Sequence, residues 1–301
     1  MAQSTRRERP ALLFDGDFLR RLEVLNVVAK KIFSGLLRAD RKSVKKGSSA
    51  EFADHRQYVA GDDPRHIDWH LFGRLEEVFL KLYREEENLH LTVLLDVSES
   101  MDAGRTHKLN YATYVGAALA YIGMANMDAV NVLPFTKRLN DGLWGVKGRG
   151  KVFRLFEFLQ GVQPSGETEM APAFREFIGR ERRRGVVVVL SDFYDVDGFQ
   201  QALKYLRFLK HQVYVVHIVD REEASPDLRG DLRLVDSETG TAREINVTDG
   251  LLARYKEAFE AHAGEVESFC IRNEFGYVRA LTDVPFDDLV LGILRRGGLV
   301  G

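Results

Sequence analysis

The sequence predicts an α/β protein with a doubly wound, mostly parallel sheet and helices on both of its faces. From His90 onward, short apolar segments alternate with amphipathic ones, which is typical of parallel strands joined by helices. Two of the apolar segments, 186–190 and 213–219, consist almost entirely of β-branched and other apolar residues. Such runs indicate strands that are covered on both sides.

The predicted elements follow the chain in a regular order. A helix is expected over 17–37 and a strand over 78–84, and both lie in an N-terminal segment, 1–89, that we expect to pack on the main domain, 90–301. A hairpin is expected near 231–247, inserted at the sheet edge, because Ser237 to Gly240 is turn-like. In the main domain, strands are predicted over 91–96, 129–135, 185–191, 213–219 and 277–281, and helices over 108–126, 151–161, 169–184, 198–211, 249–273 and 286–296.

Composition excludes several classes of protein. Lys and Arg number 43 against 45 Asp and Glu, so the net charge of −2 gives no reason to expect nucleic acid as a partner. The single cysteine, Cys270, cannot form an internal disulfide, which favours a reducing compartment. No signal-peptide core and no apolar stretch of membrane-spanning length is present, so we expect a cytoplasmic protein without a membrane span. The basic run Arg38 to Lys46 is interpreted as a solvated connector, with a membrane-surface contact as the alternative.

The candidate functional residues begin where the first strand of the main domain ends. Asp96 leaves that strand, and Ser98 and Ser100 follow at the second and fourth positions after it. A loop with this spacing can direct one carboxylate and two hydroxyls toward a single point. Ligands that are all oxygen favour a hard cation such as Mg²⁺.

Two further residues complete the candidate site. Asp192 follows the strand 185–191, and Thr168 lies in the polar loop before the helix predicted at 169. In open α/β sheets, ligands bind beyond the carboxyl ends of the strands, so both residues are expected near Asp96. Thr168 has a second interpretation, as the N-cap of the following helix. The whole set predicts a Mg²⁺ site, with Mn²⁺ and Ca²⁺ as alternatives.

These five residues resemble the metal-ion-dependent adhesion site of von Willebrand factor type A domains. Asp96-x-Ser98-x-Ser100, Thr168 and Asp192 occur in the chain order of that family. The resemblance implies a von Willebrand factor A-like, Rossmann-like main domain. It also implies that Ser98 and Ser100 bind the metal directly, and that the other three do so directly or through water.

The upstream segment resembles the bacterial family called domain of unknown function 58. The resemblance rests on Glu51-Phe52-Ala53-Asp54, Arg56-x-Tyr58 and Gly61-Asp62-Asp63-Pro64-Arg65-x-Ile67-Asp68-Trp69. It implies association with AAA+ ATPases of the MoxR type. Five residues of this segment are expected to form either a partner site or a structural clamp of charge pairs to the main domain: Asp62, Asp63, Arg65, Asp68 and Trp69. We favour the clamp, because Ile67 and Trp69 offer apolar anchors and the charges can pair locally.

The expected function is that of a non-enzymatic, metal-dependent protein-binding adaptor. Its partner would supply an acidic side chain to the metal, and the resemblance points to a MoxR-type ATPase or that ATPase's client. The alternative is a metal-dependent hydrolase or phosphotransferase with Asp96 as nucleophile. Ser98 weakens this alternative, since haloacid-dehalogenase-like enzymes carry a second Asp at that position, and the sequence nominates no general base.

Overall fold

The structure, a computed structural model, describes residues 12, 14–40, 51–84, 90–102, 107–126, 129–195, 198–235 and 241–295. The chain forms two compact units. The main unit joins the described residues up to Ile32 with those from Leu89 onward, and the small unit is Phe33–Asn88. Residues 14–32 therefore belong to the main unit, whereas the sequence assigned them to the N-terminal segment. The packing of that segment on the main domain stays a prediction.

Nine helices and ten strands are found in the described residues. The helices are α1 (Gly16–Asp40), α2 (Trp69–Leu75), α3 (Lys108–Ala125), α4 (Val152–Gln160), α5 (Met170–Arg180), α6 (Phe199–Phe208), α7 (Arg221–Ala224), α8 (Asp249–Arg272) and α9 (Phe286–Arg295). The strands are β1 (Glu51–Gln57), β2 (Phe79–Arg84), β3 (His90–Asp96), β4 (Ala129–Phe135), β5 (Leu143–Val146), β6 (Val186–Ser191), β7 (Gln212–Val219), β8 (Gly230–Val235), β9 (Ala242–Val247) and β10 (Gly276–Leu281).

The main unit is built on a six-stranded sheet with the order β10-β7-β6-β3-β4-β5. Neighbouring strands from β10 to β4 are parallel. Every side chain of β4 and β6 is buried, which is why these strands are recognisable from mostly apolar sequence. The predicted mostly parallel α/β sheet flanked by helices is confirmed.

Helices pack on both faces of this sheet because successive side chains of each strand point in opposite directions. On one face, Gly116 of α3 allows the helix to approach Val93 and Leu190, which a Cβ atom would meet at 3.4 and 3.2 Å. On the other face, Leu94 and Val189 belong to a cluster with buried residues of α5, α6 and α8. The core therefore has two layers, one on each side of the sheet.

The edge strand β5 was not predicted. It pairs antiparallel with β4, and only its first and last residues are buried. Its backbone is held in part by Asn131, whose Oδ1 accepts a hydrogen bond of 2.7 Å from the Gly145 N–H. Because this stabilisation comes from a neighbouring strand, the four residues carry no local strand signal of their own.

Two small antiparallel sheets lie outside the main sheet. β8 and β9 pair in the region where a hairpin was expected, and they form a sheet of their own rather than an edge of the six-stranded one. The predicted turn at Ser237 to Gly240 lies outside the described residues. In the small unit, β1 pairs with β2.

The N-terminal helix extends further than expected. α1 continues to Asp40, whereas the sequence placed a loop from Arg38 onward; the rest of that basic run lies outside the described residues. Across the part of the chain that the structure describes, no helix combines the length and the apolar character needed to cross a membrane.

Candidate metal centre

The candidate centre lies where the strand order of the sheet reverses. From β3 the chain passes to β4 on one side and later returns to β6 on the other. Asp96 is the last residue of β3, and Asp192 directly follows β6. Since β3 and β6 are adjacent and parallel, their carboxyl ends open at the same crevice, which is the usual ligand position in such sheets.

Asp96 is a fully buried carboxylate whose two oxygens both accept hydrogen bonds. Oδ1 accepts from the Ser98 N–H and from the Thr168 hydroxyl, each at 3.0 Å. Oδ2 accepts from the Ser191 hydroxyl at 2.6 Å. Burial, and next the charge of Asp192, raise the pKa of Asp96 to about 7, although the hydrogen bonds act in the opposite direction. A nearby cation would favour the ionised form of this group.

The two serines of the loop meet in the structure. Ser98 is fully buried and Ser100 nearly so, and their hydroxyl oxygens are 2.9 Å apart. Ser100 lies in a short 3₁₀ helix, Glu99–Asp102, which turns its hydroxyl back toward Ser98. Two neutral oxygens are thus held next to the Asp96 carboxylate.

Thr168 is brought to Asp96 by backbone pairing between two loops. The Ser165 N–H donates to the Val97 carbonyl at 2.7 Å, and the Glu99 N–H donates to the Gly166 carbonyl at 2.9 Å. Gly166 has φ +63°, a left-handed conformation that favours glycine. The loop of residues 164–169 is therefore fixed over the end of β3.

The start of α5 excludes one of the two interpretations of Thr168, that of helix N-cap. The N-cap residue is Glu169, without a capping side chain, and the N–H of Met170 instead donates to Asp195 Oδ2 at 2.7 Å. Thr168 does not cap the helix. Its hydroxyl faces Asp96, as the metal-site interpretation requires.

Asp192 has a different environment, which sequence reasoning missed. Its Oδ2 accepts a hydrogen bond of 2.7 Å from the Lys108 ammonium, and its Oδ1 accepts one of 3.3 Å from the Tyr194 N–H. Lys108 also pairs with Glu223, at 2.6 Å. Burial lowers the pKa of Lys108, but the two carboxylates outweigh it and raise that pKa to about 12. One sequence signal was available: Lys108 is the single charged residue of α3.

The turn after β6 has a strained backbone. Phe193 is fully buried and has φ +59°, an uncommon conformation for a bulky residue. Its N–H donates to the Ser191 hydroxyl at 3.0 Å, and its carbonyl accepts from His262 Nε2 at 3.1 Å. These bonds hold the turn that positions Asp192, and strain of this kind is concentrated at functional sites.

The donor set fits a hard divalent cation. It contains two carboxylates and three hydroxyls, with no sulfur or imidazole, which suits Mg²⁺, Mn²⁺ or Ca²⁺. Four of the five predicted residues are joined directly by hydrogen bonds, and the fifth, Asp192, raises the pKa of Asp96 through its charge. Among the described residues, no group of three or more His, Cys, Asp or Glu forms a metal cluster, so a metal here would depend on the hydroxyls.

In the small unit, the predicted clamp residues pair with neighbours in the same unit. Asp62 pairs with Arg56 at 2.7 Å, and Asp63 with Arg65 at 3.0 Å. The hydrogen bonds from Arg65 lower the pKa of Asp63 to about 2. These charge pairs lie within the small unit, and the clamp to the main domain stays a prediction.

Asp68 and Trp69 begin α2 and differ in their environment. Asp68 caps the helix through the N–H groups of His70 and Leu71 and accepts from His55 Nε2 at 2.9 Å. The bond from His55 lowers the pKa of Asp68 to about 2. Trp69 was expected to be an apolar anchor, but its side chain is 65% exposed.

Comparison with known proteins gives a family match. A family model described as "Protein of unknown function DUF58" matches residues 54–265. An uncharacterized protein of Mycobacterium tuberculosis (strain ATCC 25618 / H37Rv) is 25% identical over 251 residues, covering 81% of this chain and 78% of the relative. An uncharacterized protein of Mycobacterium avium is 33% identical over 99 residues, covering 33% of this chain and 57% of the relative.

Solved structures give weaker likenesses. The conserved hypothetical protein BatB from Bacteroides thetaiotaomicron aligns with a TM-score of 0.43 at 14% identity, covering 69% of this chain and 98% of that one. An aerotolerance-related membrane protein from Bacteroides fragilis aligns with a TM-score of 0.43 at 16% identity, covering 69% and 97%.

Proposed function

Since the chain belongs to the DUF58 family, whose description assigns no function, we propose a function from the residues of its candidate metal centre. The protein is a divalent-metal-dependent protein-binding adaptor. Its main unit is a von Willebrand factor A-like domain, and the centre is a metal-ion-dependent adhesion site. The observation that carries this proposal is the hydrogen-bonded convergence of Asp96, Ser98, Ser100 and Thr168 at the end of β3.

The five residues of the centre have different proposed roles in binding the metal. By the resemblance drawn from the sequence, Ser98 and Ser100 would hold it directly, and Asp96, Thr168 and Asp192 would do so directly or through water. A bound Mg²⁺ would supply a coordination centre for a carboxylate from outside the chain, because the three hydroxyls fill ligand positions without adding negative charge to that of the two carboxylates. The protein's own part is to hold these oxygens together in a site from which water is largely excluded.

A binding role is favoured over hydrolysis or phosphoryl transfer by the state of Asp96. Its side chain is fully buried, and both of its oxygens already accept hydrogen bonds. A nucleophilic carboxylate must itself reach the substrate, and the burial of Asp96 closes that path, whereas a metal ligand needs only to reach the ion. We therefore propose that the chain is not an enzyme.

The proposed partner presents an aspartate or glutamate to the metal. The resemblance drawn from the sequence makes this partner a MoxR-type AAA+ ATPase or its client, in the assembly or chaperoning of protein complexes. Because the partner's ligand is acidic, the affinity for the partner should depend both on the metal and on the charge of that acidic side chain. Each of them can be measured separately.

The experiment measures metal binding first and partner binding second. Isothermal titration with Mg²⁺ should show one saturable site in the wild-type chain, which Ser98→Ala should lose because a neutral ligand is removed. Ser165→Ala is the matched control, since this exposed serine lies in the loop that carries Thr168. Binding to the purified MoxR-type ATPase of the same organism is then measured by surface plasmon resonance in Mg²⁺ and in EDTA.

The results that contradict the proposal are specific. Equal affinity for the ATPase in Mg²⁺ and in EDTA would remove the metal from the interaction. Metal-dependent turnover of a generic phosphate ester that is lost in Asp96→Asn would establish the hydrolase alternative instead.

A further inference from the structure

The side chain of Lys108 is the feature of this centre that the proposed function does not use. Its ammonium is fully buried and lies 2.7 Å from Asp192 Oδ2 and 2.6 Å from Glu223 Oε1. It also lies 4.8 Å from the centroid of the Tyr194 ring. A buried lysine is rare and costs free energy unless its charge is well compensated.

The position of Lys108 in its helix adds to this cost. It is the first residue of α3, and no acidic residue lies in that first turn. The N-terminus of a helix carries a partial positive charge, so a cation is disfavoured there. The remaining residues of α3 are uncharged and most are buried. Packing alone therefore gives no reason for an ammonium at this position.

The two carboxylates that neutralise the Lys108 ammonium differ in their relation to the proposed metal. Asp192 belongs to the proposed metal ligands, whereas Glu223 lies in the short helix α7 and is not one of them. The same ammonium therefore neutralises a ligand and is itself drawn toward a group outside the ligand set. Whatever strengthens its bond to Asp192 makes that carboxylate less available to a metal.

We propose that Lys108 is a positioning residue that serves as the internal cation of the metal centre: it holds Asp192 in the metal-free protein and competes with the divalent ion for that carboxylate, while Glu223 weakens this competition by sharing the ammonium. The inference rests on the proposed metal-binding function. It assigns the metal affinity to a balance between two ion pairs, in addition to the ligands themselves.

The two partners of this balance have opposite expected effects. Lys108→Met keeps most of the side-chain volume and removes the competing charge, so Mg²⁺ should bind at least about tenfold more tightly. Glu223→Gln keeps the shape and leaves the ammonium to Asp192 alone, so Mg²⁺ should bind about three- to tenfold more weakly. A merely structural role for Lys108 predicts instead that both variants weaken Mg²⁺ binding, because both disturb the same packing.

Lys137 offers a matched control. It also bridges two carboxylates, Glu167 and Glu169, at 2.6 and 3.0 Å, beside the loop that carries Thr168. Its side chain is about half exposed, so its charge is screened by solvent. Lys137→Met should change the Mg²⁺ affinity by less than about twofold.

The test titrates full-length wild-type protein and the three variants with Mg²⁺ by calorimetry at constant pH and ionic strength. Thermal unfolding in EDTA and in saturating Mg²⁺ is measured in parallel. For Lys108→Met, the melting temperature in EDTA should fall below that of the wild type, because two buried carboxylates lose their cation. The rise on adding Mg²⁺ should be larger than in the wild type.

Each outcome decides one of the two claims. If the wild type shows no saturable Mg²⁺ binding, the proposed function fails, and this inference fails with it. If the wild type binds and Lys108→Met binds equally or more weakly, the inference alone is overturned. If Lys108→Met does not fold, Glu223→Gln decides: weaker binding supports the internal cation, and unchanged or tighter binding overturns it.

Discussion

Replacing Asp96 by asparagine should stabilise the metal-free protein, although it removes a proposed metal ligand. Burial and the charge of Asp192 raise the pKa of Asp96 from 3.8 to about 7. A carboxyl group whose pKa is higher in the folded than in the unfolded protein stabilises the fold at a pH below its unfolded-state pKa. This stability is lost as the pH rises through its folded-state pKa. At 1.36 kcal/mol per unit, the ionised group therefore costs at most about 4 kcal/mol above neutral pH.

The hydrogen bonds at this position reduce the expected gain. The asparagine Oδ1 can still accept from Ser98 and Thr168, but its Nδ2 replaces an oxygen that accepted from Ser191. Ser191 must turn to accept this new bond, and its own proton loses a partner at a cost of about 1 kcal/mol. The net stabilisation of Asp96→Asn is then about 1–3 kcal/mol at pH 8.

Urea unfolding in EDTA at pH 8 and pH 5 measures this effect. At pH 5 the wild-type carboxyl is already protonated in the folded state, so the gain should be smaller there by about 2–3 kcal/mol. Added Mg²⁺ should stabilise the wild type and leave the variant unchanged. Asp63→Asn is the control of opposite sign, because the hydrogen bonds from Arg65 lower the pKa of Asp63; that variant should lose stability at pH 8. Destabilisation by Asp96→Asn at both pH values, or an equal gain at both, refutes the reasoning.

Three further expectations concern the surroundings of the centre and the sheet. Burial lowers the pKa of His217 from 6.5 to about 4, so the wild-type protein loses stability as the pH falls below 6.5. About 2 kcal/mol of the decrease in the free energy of unfolding between pH 7.5 and 5 should come from this group. His217→Gln should remove that part of the decrease, measured by urea unfolding. Ser191→Ala leaves an oxygen of Asp96 and a backbone N–H without their partner and should cost about 2–3 kcal/mol in the same assay. Gly185→Ala places a Cβ 2.2 Å from a backbone carbonyl oxygen and should lower the melting temperature, whereas Gly179→Ala meets nothing within 4 Å in α5 and should be neutral or stabilising by up to about 1 kcal/mol.

The central parallel strands were predictable because burial on both faces favours nearly continuous apolar sequence, as in β6, whose six side chains are all buried. Each predicted parallel strand agrees with the observed one to within a residue at either end, as in β4 (Ala129–Phe135). The edge strand β5 was missed for the converse reason. Two of its four residues are exposed, and its pairing depends on β4 and on Asn131. Neither contact has a local periodicity.

The candidate site likewise contains residues that the sequence predicts and one contact that it does not. Asp96, Ser98 and Ser100 are close in sequence, and Thr168 and Asp192 could be placed because parallel strands end at one edge of the sheet. The pairing of Lys108 with Asp192 joins residues 84 positions apart, and no spacing rule connects them. What the sequence does show is one charged residue in an otherwise uncharged buried helix, which is a reason to look for a partner.

The two proposed carboxylate ligands differ in how their charge is balanced, and this difference argues for a divalent ion. Asp96 is satisfied by hydroxyl and amide donors only, while Asp192 shares the ammonium of Lys108 with Glu223. With Asp96, Asp192, Glu223 and Lys108 all ionised, three carboxylates and one ammonium leave two negative charges, which one divalent cation neutralises.

A carboxylate from a partner then meets a centre whose charge is already balanced, so the affinity for the partner must come mostly from direct coordination to the metal and from contacts around it. A partner held in this way should dissociate when the metal is removed, even at low salt, whereas a partner held by surface charge alone should dissociate with rising salt and remain bound in EDTA. Measuring the dissociation rate against salt in Mg²⁺ and against EDTA at low salt separates the two modes.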